Sequence, residues 1–233
     1  RTTTYYYDFT DRLMKQVESG SGYSHSVGYQ YDTINNLTQM VETINGTAHT
    51  TSYTYDDDNR VTAVTNGTVT KQNVYDAYGR LATQTTKQNG ATVQTETFTY
   101  TNPTATTTSA QIKTHTINSA GHTVTYTYTY DNNGNILTVS DGTKTTSYVY
   151  DSANQLIREN NQEGGFTHVW TYDDAGNILS RKEYSYTTGT LGAVVDTKTY
   201  SYGNGGWGDL LTVYGSYIYY DGVGNPASND AYA

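Results

Sequence analysis

The sequence predicts an all-β protein, an antiparallel meander of repeated β-hairpins wound as a spiral ribbon, and three observations lead to this fold class. A seven-residue motif that opens with Tyr-Asp recurs along the 233 residues. A second turn signal, usually Asn-Gly or Asp-Gly, lies about halfway between successive copies. No stretch shows a helical period of apolar residues. Self-similarity at a near-regular period is typical of repeat architectures, and two turns per period leave two strands per repeat.

The motif is clearest at residues 130–136, which read Tyr-Asp-Asn-Asn-Gly-Asn-Ile. We number its positions from the tyrosine: position 1 is Tyr, position 2 is Asp, position 5 is Gly, Asn or Asp, position 6 is mostly Arg or Asn, and position 7 is aliphatic. The last copy is decayed and ends on Pro226. The Tyr-Asp pairs, to which we assign a structural role, are Tyr7-Asp8, Tyr31-Asp32, Tyr55-Asp56, Tyr75-Asp76, Tyr130-Asp131, Tyr150-Asp151, Tyr172-Asp173 and Tyr220-Asp221.

Each copy has the chemistry of a tight hairpin turn. Asp favours the first position of a type I turn because its carboxylate accepts backbone N–H groups, and position 5 then takes the left-handed conformation. We therefore expect a positive φ at Asn59, Gly79, Gly134, Asn154 and Gly176. The same geometry places position 1 opposite position 7. The predicted cross-strand pairs are Tyr55 with Val61, Tyr75 with Leu81, Tyr130 with Ile136, Tyr150 with Leu156 and Tyr172 with Ile178.

The spacing of the copies predicts one array over residues 1–233 with about ten repeats. Two gaps are about twice the usual spacing, and each holds a degenerate copy, at residues 98–103 and 200–205. The chain opens inside the pattern, so we interpret it as a fragment of a longer protein. An irregular end is expected from residue 203, and Pro226 is expected to interrupt the strand ladder because proline lacks a donor.

Composition favours sheet and argues against several partners. The chain has 26 Tyr against 3 Phe and 2 Trp, and tyrosine suits a half-wet pleated surface. The mean hydropathy of −0.71 is too polar for a thick enzyme-like core. The formal charge of −9 argues against nucleic acid, and no apolar run predicts membrane insertion. Cysteine is absent, which excludes a disulfide framework and cysteine metal ligands.

The motif copies at residues 75–81, 130–136 and 172–178 resemble the YD-repeat, or Rhs-repeat, family of large bacterial surface proteins and toxins, which has relatives in animal teneurins. The resemblance covers nearly the whole chain. It implies a ribbon of hairpins wound into a hollow shell of a secreted or cell-surface protein. Implied partners are neighbouring repeats of the parent chain, an enclosed toxin domain or a cell-surface glycan. The Asp-Pro autocleavage motif of many members is missing, since Asp precedes neither Pro103 nor Pro226.

No cofactor, metal site or catalytic constellation is predicted, so we expect a protein that is not an enzyme. The five histidines lie in five regions without metal spacing, and each acidic run opens a turn that already explains one aspartate. The tyrosine stripe leaves two interpretations open: packing on one sheet face, or exposed platforms that stack on sugars. The candidate glycan-binding residues are Trp207 with Asn204 and Asp209 in a Gly-rich segment, and Trp170 in a strand.

Overall fold

The computed structural model describes residues 1–102, 107, 109–203, 210–220 and 226–229. These residues form twenty β-strands and no helix, which confirms the all-β antiparallel fold class. The chain divides into two compact units, Arg1–Thr125 and Tyr126–Ala233.

In the first unit each strand from β1 to β10 pairs antiparallel with its neighbour in sequence. The strands are β1 (Thr2–Tyr7), β2 (Leu13–Gly20), β3 (Tyr23–Tyr31), β4 (Leu37–Ile44), β5 (Thr47–Tyr55), β6 (Val61–Thr65), β7 (Val69–Tyr75), β8 (Leu81–Gln88), β9 (Ala91–Tyr100) and β10 (Ile112–Ser119). The next strand, β11 (His122–Tyr130), runs into the second unit.

The second unit is also a meander, in which each strand from β11 to β20 pairs antiparallel with its neighbour in sequence. The strands after β11 are β12 (Ile136–Ser140), β13 (Thr145–Tyr150), β14 (Leu156–Asn161), β15 (Phe166–Tyr172), β16 (Ile178–Ser185), β17 (Val194–Tyr202), β18 (Leu211–Tyr214), β19 (Ser216–Tyr220) and β20 (Pro226–Asn229).

The Tyr-Asp hairpins have the predicted register. All five expected pairs between position 1 and position 7 are present, and a register shift consistent with a β-bulge lies immediately before each tyrosine. The five expected position-5 residues have φ between 61° and 89°. The degenerate copies follow the same rule, because Tyr100 lies opposite Ile112 and Tyr202 opposite Leu211.

The expectation that Pro226 interrupts the strand ladder is wrong. It pairs with Tyr220 and opens β20, so the ladder continues through it. A proline is tolerated there because the first residue of a strand need not donate to the ladder.

The turns at the other end of the hairpins are of two kinds. Asn45-Gly46 and Asn89-Gly90 each have two positive φ values, as a two-residue I′ turn requires. At Asn66-Gly67 and Asp141-Gly142 only the glycine has a positive φ, and the two central residues are Gly-Thr. These are II′ turns, shifted by one residue from the predicted Asn-Gly and Asp-Gly positions, because the first residue uses its side chain as an acceptor and stays outside the turn centre.

Ala120 occupies a left-handed position in the I′ turn between β10 and β11, with φ of 51°. Its Cβ makes this conformation unfavourable by about 1 to 2 kcal/mol, whereas glycine adopts it freely. We expect Ala120→Gly to raise the free energy of unfolding by about 0.5 to 1 kcal/mol, measured by chemical denaturation. Ala91→Gly, at the start of β9, is the control and should lower it by a similar amount. Equal effects of the two substitutions would contradict this account.

The core is thin. Most motif tyrosines and their aliphatic partners are half-buried on one sheet face, and of the described residues only Tyr184, Asn160, Thr167 and His168 are buried. Asn160 and Thr167 are covered by the connection between β16 and β17. The Thr167 hydroxyl donates to the carbonyl of Thr187, and the guanidinium of Arg158 donates to the same carbonyl at 2.8 Å and to that of Gly189 at 2.9 Å.

Candidate functional site

The carboxylate at position 2 organises each Tyr-Asp turn. In Asp56, Oδ1 accepts the backbone N–H groups of Asp58 and Arg60 at 3.0 and 2.9 Å, and Oδ2 accepts Arg60 Nε at 2.8 Å. Asp131 repeats the arrangement with the backbone N–H groups of Asn133 and Asn135 and the side-chain amide of Asn135. Each carboxylate thus binds the donors of positions 4 and 6.

These hydrogen bonds favour the ionised carboxyl group. The backbone N–H of Arg60 holds the pKa of Asp56 below its ordinary value of 3.8, although partial desolvation opposes the shift. The side-chain amide of Asn135 lowers the pKa of Asp131, and that of Asn177 lowers the pKa of Asp173. Ionised carboxylates at position 2 therefore stabilise the folded chain.

Because the pKa values of these carboxyl groups are lowered by folding, the stability of the protein depends on pH. A group with a lowered pKa in the folded state contributes stability above its unfolded pKa and loses it as pH falls through the folded value. We expect the free energy of unfolding to decline below about pH 4. Denaturant unfolding at stepwise lower pH measures it. Asp56→Asn should be less stable at neutral pH and show a shallower acid decline; an unchanged decline would contradict the assignment.

The hydroxyl of the position-1 tyrosine joins successive repeats. In seven described copies it donates to the backbone carbonyl of the position-7 residue in the preceding copy, at 2.6 to 3.0 Å. The pairs are Tyr31 to Leu13, Tyr55 to Leu37, Tyr75 to Val61, Tyr100 to Leu81, Tyr150 to Ile136, Tyr172 to Leu156 and Tyr220 to Leu211. The sequence indicated the tyrosine face but not this bond.

Position 6 makes a second link between repeats. Arg12 binds Asp8 of its own turn through Nε at 2.7 Å, and its Nη1 donates to Oδ1 of Asn35 in the next turn at 2.7 Å. Its guanidinium lies over the ring of Tyr31, 5.1 Å from the centroid. Arg80 lies over Tyr100 in the same way, at 4.3 Å. One side chain therefore holds its own turn and the tyrosine of the following repeat.

Asparagine at position 6 reaches the next turn with a shorter side chain. Asn36 donates to Asn59 Oδ1 at 3.0 Å, and Asn135 donates to Asn154 Oδ1 at 2.8 Å. At Gly79 and Gly176, two of the position-5 glycines, the position-6 side chain of the preceding copy lies across the space that a Cβ would occupy. Arg60 Nη1 is 3.1 Å from that point at Gly79. We call the tyrosine hydroxyl bond and the position-6 contact together the repeat lock.

Three histidines bind glutamates on neighbouring strands. The Nε2 atoms of His25 and His168 lie 2.9 Å from Glu42 and Glu183, and that of His115 lies 2.8 Å from Glu96. Within the described ranges, no group of three or more His, Cys, Asp or Glu residues could hold a metal ion. These pairs give each histidine and glutamate a hydrogen-bond partner on the sheet face that carries the motif tyrosines.

Of the four candidate glycan-binding residues, the structure describes Trp170. Trp170 is half-buried in β15 and meets the edge of His168, with ring centroids 5.5 Å apart. Asn204, Trp207 and Asp209 lie outside the described residues, as does Asp221 of the last motif. No helix in the described part is long and apolar enough to cross a membrane.

Comparisons with known proteins identify a family and similar solved structures. The family model described as Teneurin YD-shell matches residues 67–225. A pore structure of the Photorhabdus luminescens Tc holotoxin matches with a TM-score of 0.50 and 12% identity, over 94% of this chain and 15% of that one. A TcdB2–TccC3 complex without its hypervariable C-terminal region matches with a TM-score of 0.46 and 12% identity, over 96% of this chain and 18% of that one.

The chain thus spans less than a fifth of the solved proteins that it resembles. No curated protein matches it. The family match extends over most of the chain, and the holotoxin shows the same fold. This chain belongs to the Teneurin YD-shell family and is a structural segment of a β-hairpin shell.

Proposed function

We propose that this chain is a non-enzymatic wall segment of a secreted or cell-surface bacterial protein, in which it encloses a toxin domain or forms a wall-associated scaffold. The observation that carries the proposal is the repeat lock. In seven described copies it joins a repeat to the preceding one through side chains of the motif itself, so the same contacts can extend a wall by further repeats.

Two further features favour a structural role for this chain over an enzymatic one. Many reactive side chains of the described region have structural partners: the motif aspartates bind turn donors, the motif arginines bind aspartates and rings, and His25, His115 and His168 bind glutamates. The solved protein that shows the fold is a Tc holotoxin pore assembly. Other shell repeats and toxin components are therefore the partners that we propose for this chain.

Protease protection of the parent protein tests the enclosing role. We expect a domain enclosed by the shell to resist a protease that cleaves the same domain once it is released by denaturant. Tyr75→Ala combined with Tyr100→Ala removes two consecutive tyrosine bonds and should expose the domain. The control is Val74→Ala combined with Thr99→Ala, at exposed positions one residue away. Cleavage of the domain as fast in the native parent protein as after its release would reject enclosure, and a lock variant that protects the domain as well as wild type would reject the role of the tyrosine bonds.

A glycan-binding adhesin is the second candidate, and one observation favours it. Tyr217 and Tyr219 are 63% and 52% exposed and lie two residues apart on β19, so both rings stand on one face of the strand. Exposed flat rings at this spacing suit stacking on sugar units. Trp207, with Asn204 and Asp209, belongs to the same hypothesis.

Titration with wall polysaccharides, followed by tryptophan fluorescence and by calorimetry, tests this candidate. Binding that is lost in Tyr217→Ala or in Trp207→Ala would support it. Tyr214→Ala is a control on the adjacent strand, where the ring packs against Tyr200 with centroids 5.1 Å apart. If no polysaccharide gives a response, the scaffold role alone remains.

A further inference from the structure

Three Asn-Gly pairs lie at hairpin tips of the first unit, at Asn45, Asn66 and Asn89. We propose that Asn89 is a site of spontaneous deamidation and backbone isomerisation, and that the fold protects Asn66 from the same reaction. The proposal is independent of the shell function, because it depends only on hydrogen bonds at the three tips.

The reaction needs no partner except water. The backbone nitrogen of the glycine attacks Cγ of the asparagine side chain, gives up its proton, and expels ammonia to form a cyclic succinimide. Water then opens one of the two ring C–N bonds. The product is aspartate or its isomer with the backbone routed through the side chain. The reaction is slowed wherever the glycine N–H or the asparagine carbonyl oxygen must first leave a hydrogen bond.

At Asn66, hydrogen bonds engage both reacting groups, the side-chain carboxamide and the backbone N–H of Gly67. Its Oδ1 accepts the backbone N–H groups of Thr68 at 3.0 Å and Val69 at 2.8 Å. The N–H of Gly67, which would be the nucleophile, donates to Thr65 Oγ1 at 3.1 Å. Three hydrogen bonds therefore restrain the two reacting groups in the II′ turn.

Asn89 has none of these restraints. It is exposed, and in the described part of the chain neither its carboxamide nor the Gly90 N–H has a hydrogen-bond partner. Asn45 is intermediate, because its Oδ1 accepts the Ser24 N–H at 3.0 Å while Gly46 is unrestrained. The expected order of rates is Asn89, then Asn45, then Asn66.

The product would alter the tip between β8 and β9. The Asn89 N–H donates to the carbonyl of Thr68 in the neighbouring hairpin at 2.8 Å, and a backbone lengthened through the side chain displaces this donor. The reaction also adds a negative charge to a chain that already carries −9. Deamidation at Asn89 would therefore loosen the contact between two hairpin tips at the end away from the Tyr-Asp turns.

Peptide mapping by mass spectrometry, during incubation of the folded chain at mildly alkaline pH, tests the proposal. We expect Asn89 to react more than about tenfold faster than Asn66, because each hydrogen bond that must open first slows the reaction roughly fivefold. In denaturant the three rates should converge, since all are Asn-Gly sites. Asn66 reacting as fast as Asn89 in the folded chain, or the same ranking in denaturant, would overturn the proposal.

Thr65→Val provides a matched variant. It keeps the side-chain shape but removes the acceptor of the Gly67 N–H, together with the bonds of the hydroxyl to the Val69 carbonyl and to Thr70 Oγ1, so the Asn66 rate should rise by roughly fivefold or more. The Asn89 rate in the same molecule is the internal control and should not change. Circular dichroism checks that the variant retains its sheet. A folded variant with an unchanged Asn66 rate would contradict the protecting role of Thr65.

Discussion

Replacing Tyr172 by alanine is expected to lower the free energy of unfolding by about 2 to 4 kcal/mol, the largest effect of any single substitution that we predict. The half-buried ring lies opposite Ile178, and its hydroxyl donates to the carbonyl of Leu156 at 2.7 Å. Burial of this hydroxyl raises the pKa of Tyr172, and the charge of Asp151 adds to the shift. Removing the side chain deletes packing within one hairpin and the bond to the preceding one.

Phenylalanine at this position separates the two contributions. Tyr172→Phe retains the ring and removes only the hydroxyl, so we expect a loss of about 1 kcal/mol. Tyr219→Ala is the control, because that ring is 52% exposed on the opposite face and should change stability by less than about 0.5 kcal/mol. Chemical denaturation measures all three. A Tyr172→Phe variant as unstable as the alanine variant, or a large loss at Tyr219, would refute the repeat lock at this position.

For the position-1 tyrosine, the sequence predicted the pairing within one hairpin but not the bond between hairpins. Alternation and turn chemistry predicted that position 1 lies opposite position 7, because both follow from the geometry of one hairpin. The hydroxyl bond joins two hairpins, so no pattern within one copy reveals it. A signal was nevertheless present: the chain repeats Tyr at position 1, where a packing role alone would accept Phe, and it has 26 Tyr against 3 Phe.

Other differences have equally local causes. The turn at Asn66 was predicted to centre on Asn-Gly, but the Asn66 side chain accepts the N–H groups of Thr68 and Val69 and moves the centre to Gly-Thr. The threonine after the glycine was the available cue. Arg158 lies outside the repeated motif. Its bonds to the carbonyls of Thr187 and Gly189 depend on how a long connection folds over β14 and β15. Contacts between distant segments of this kind are not encoded in a repeat period.

Position 6 contacts position 5 of the next turn both where that residue is asparagine and where it is glycine. Arg12 and Asn36 both donate to an asparagine at position 5 of the next turn, whereas Arg60 and Gln155 lie across a glycine there. The identity of one residue thus sets the space and the hydrogen bond available to another about 20 residues further along. Stability then depends on pairs of neighbouring repeats, as in other linear repeat proteins.

Gly79→Val should lower the free energy of unfolding by about 2 kcal/mol or more, because two effects add. Gly79 has φ of 78°, a conformation that is strained for β-branched residues. The new Cβ would also stand 3.1 Å from Arg60 Nη1 and displace the guanidinium, which binds Asp56 and lies 4.8 Å from the Tyr75 ring centroid.

Gly79→Asn is the matched control, since asparagine tolerates positive φ and is found at position 5 of other turns in this chain. We expect a loss below about 1 kcal/mol, because the guanidinium of Arg60 can donate to the new amide oxygen as that of Arg12 does to Asn35 at 2.7 Å. Denaturant unfolding of both variants, alone and combined with Arg60→Ala, measures the coupling. If valine and asparagine destabilise equally, or if Arg60→Ala leaves the difference between them unchanged, the position-6 contact does not link these turns.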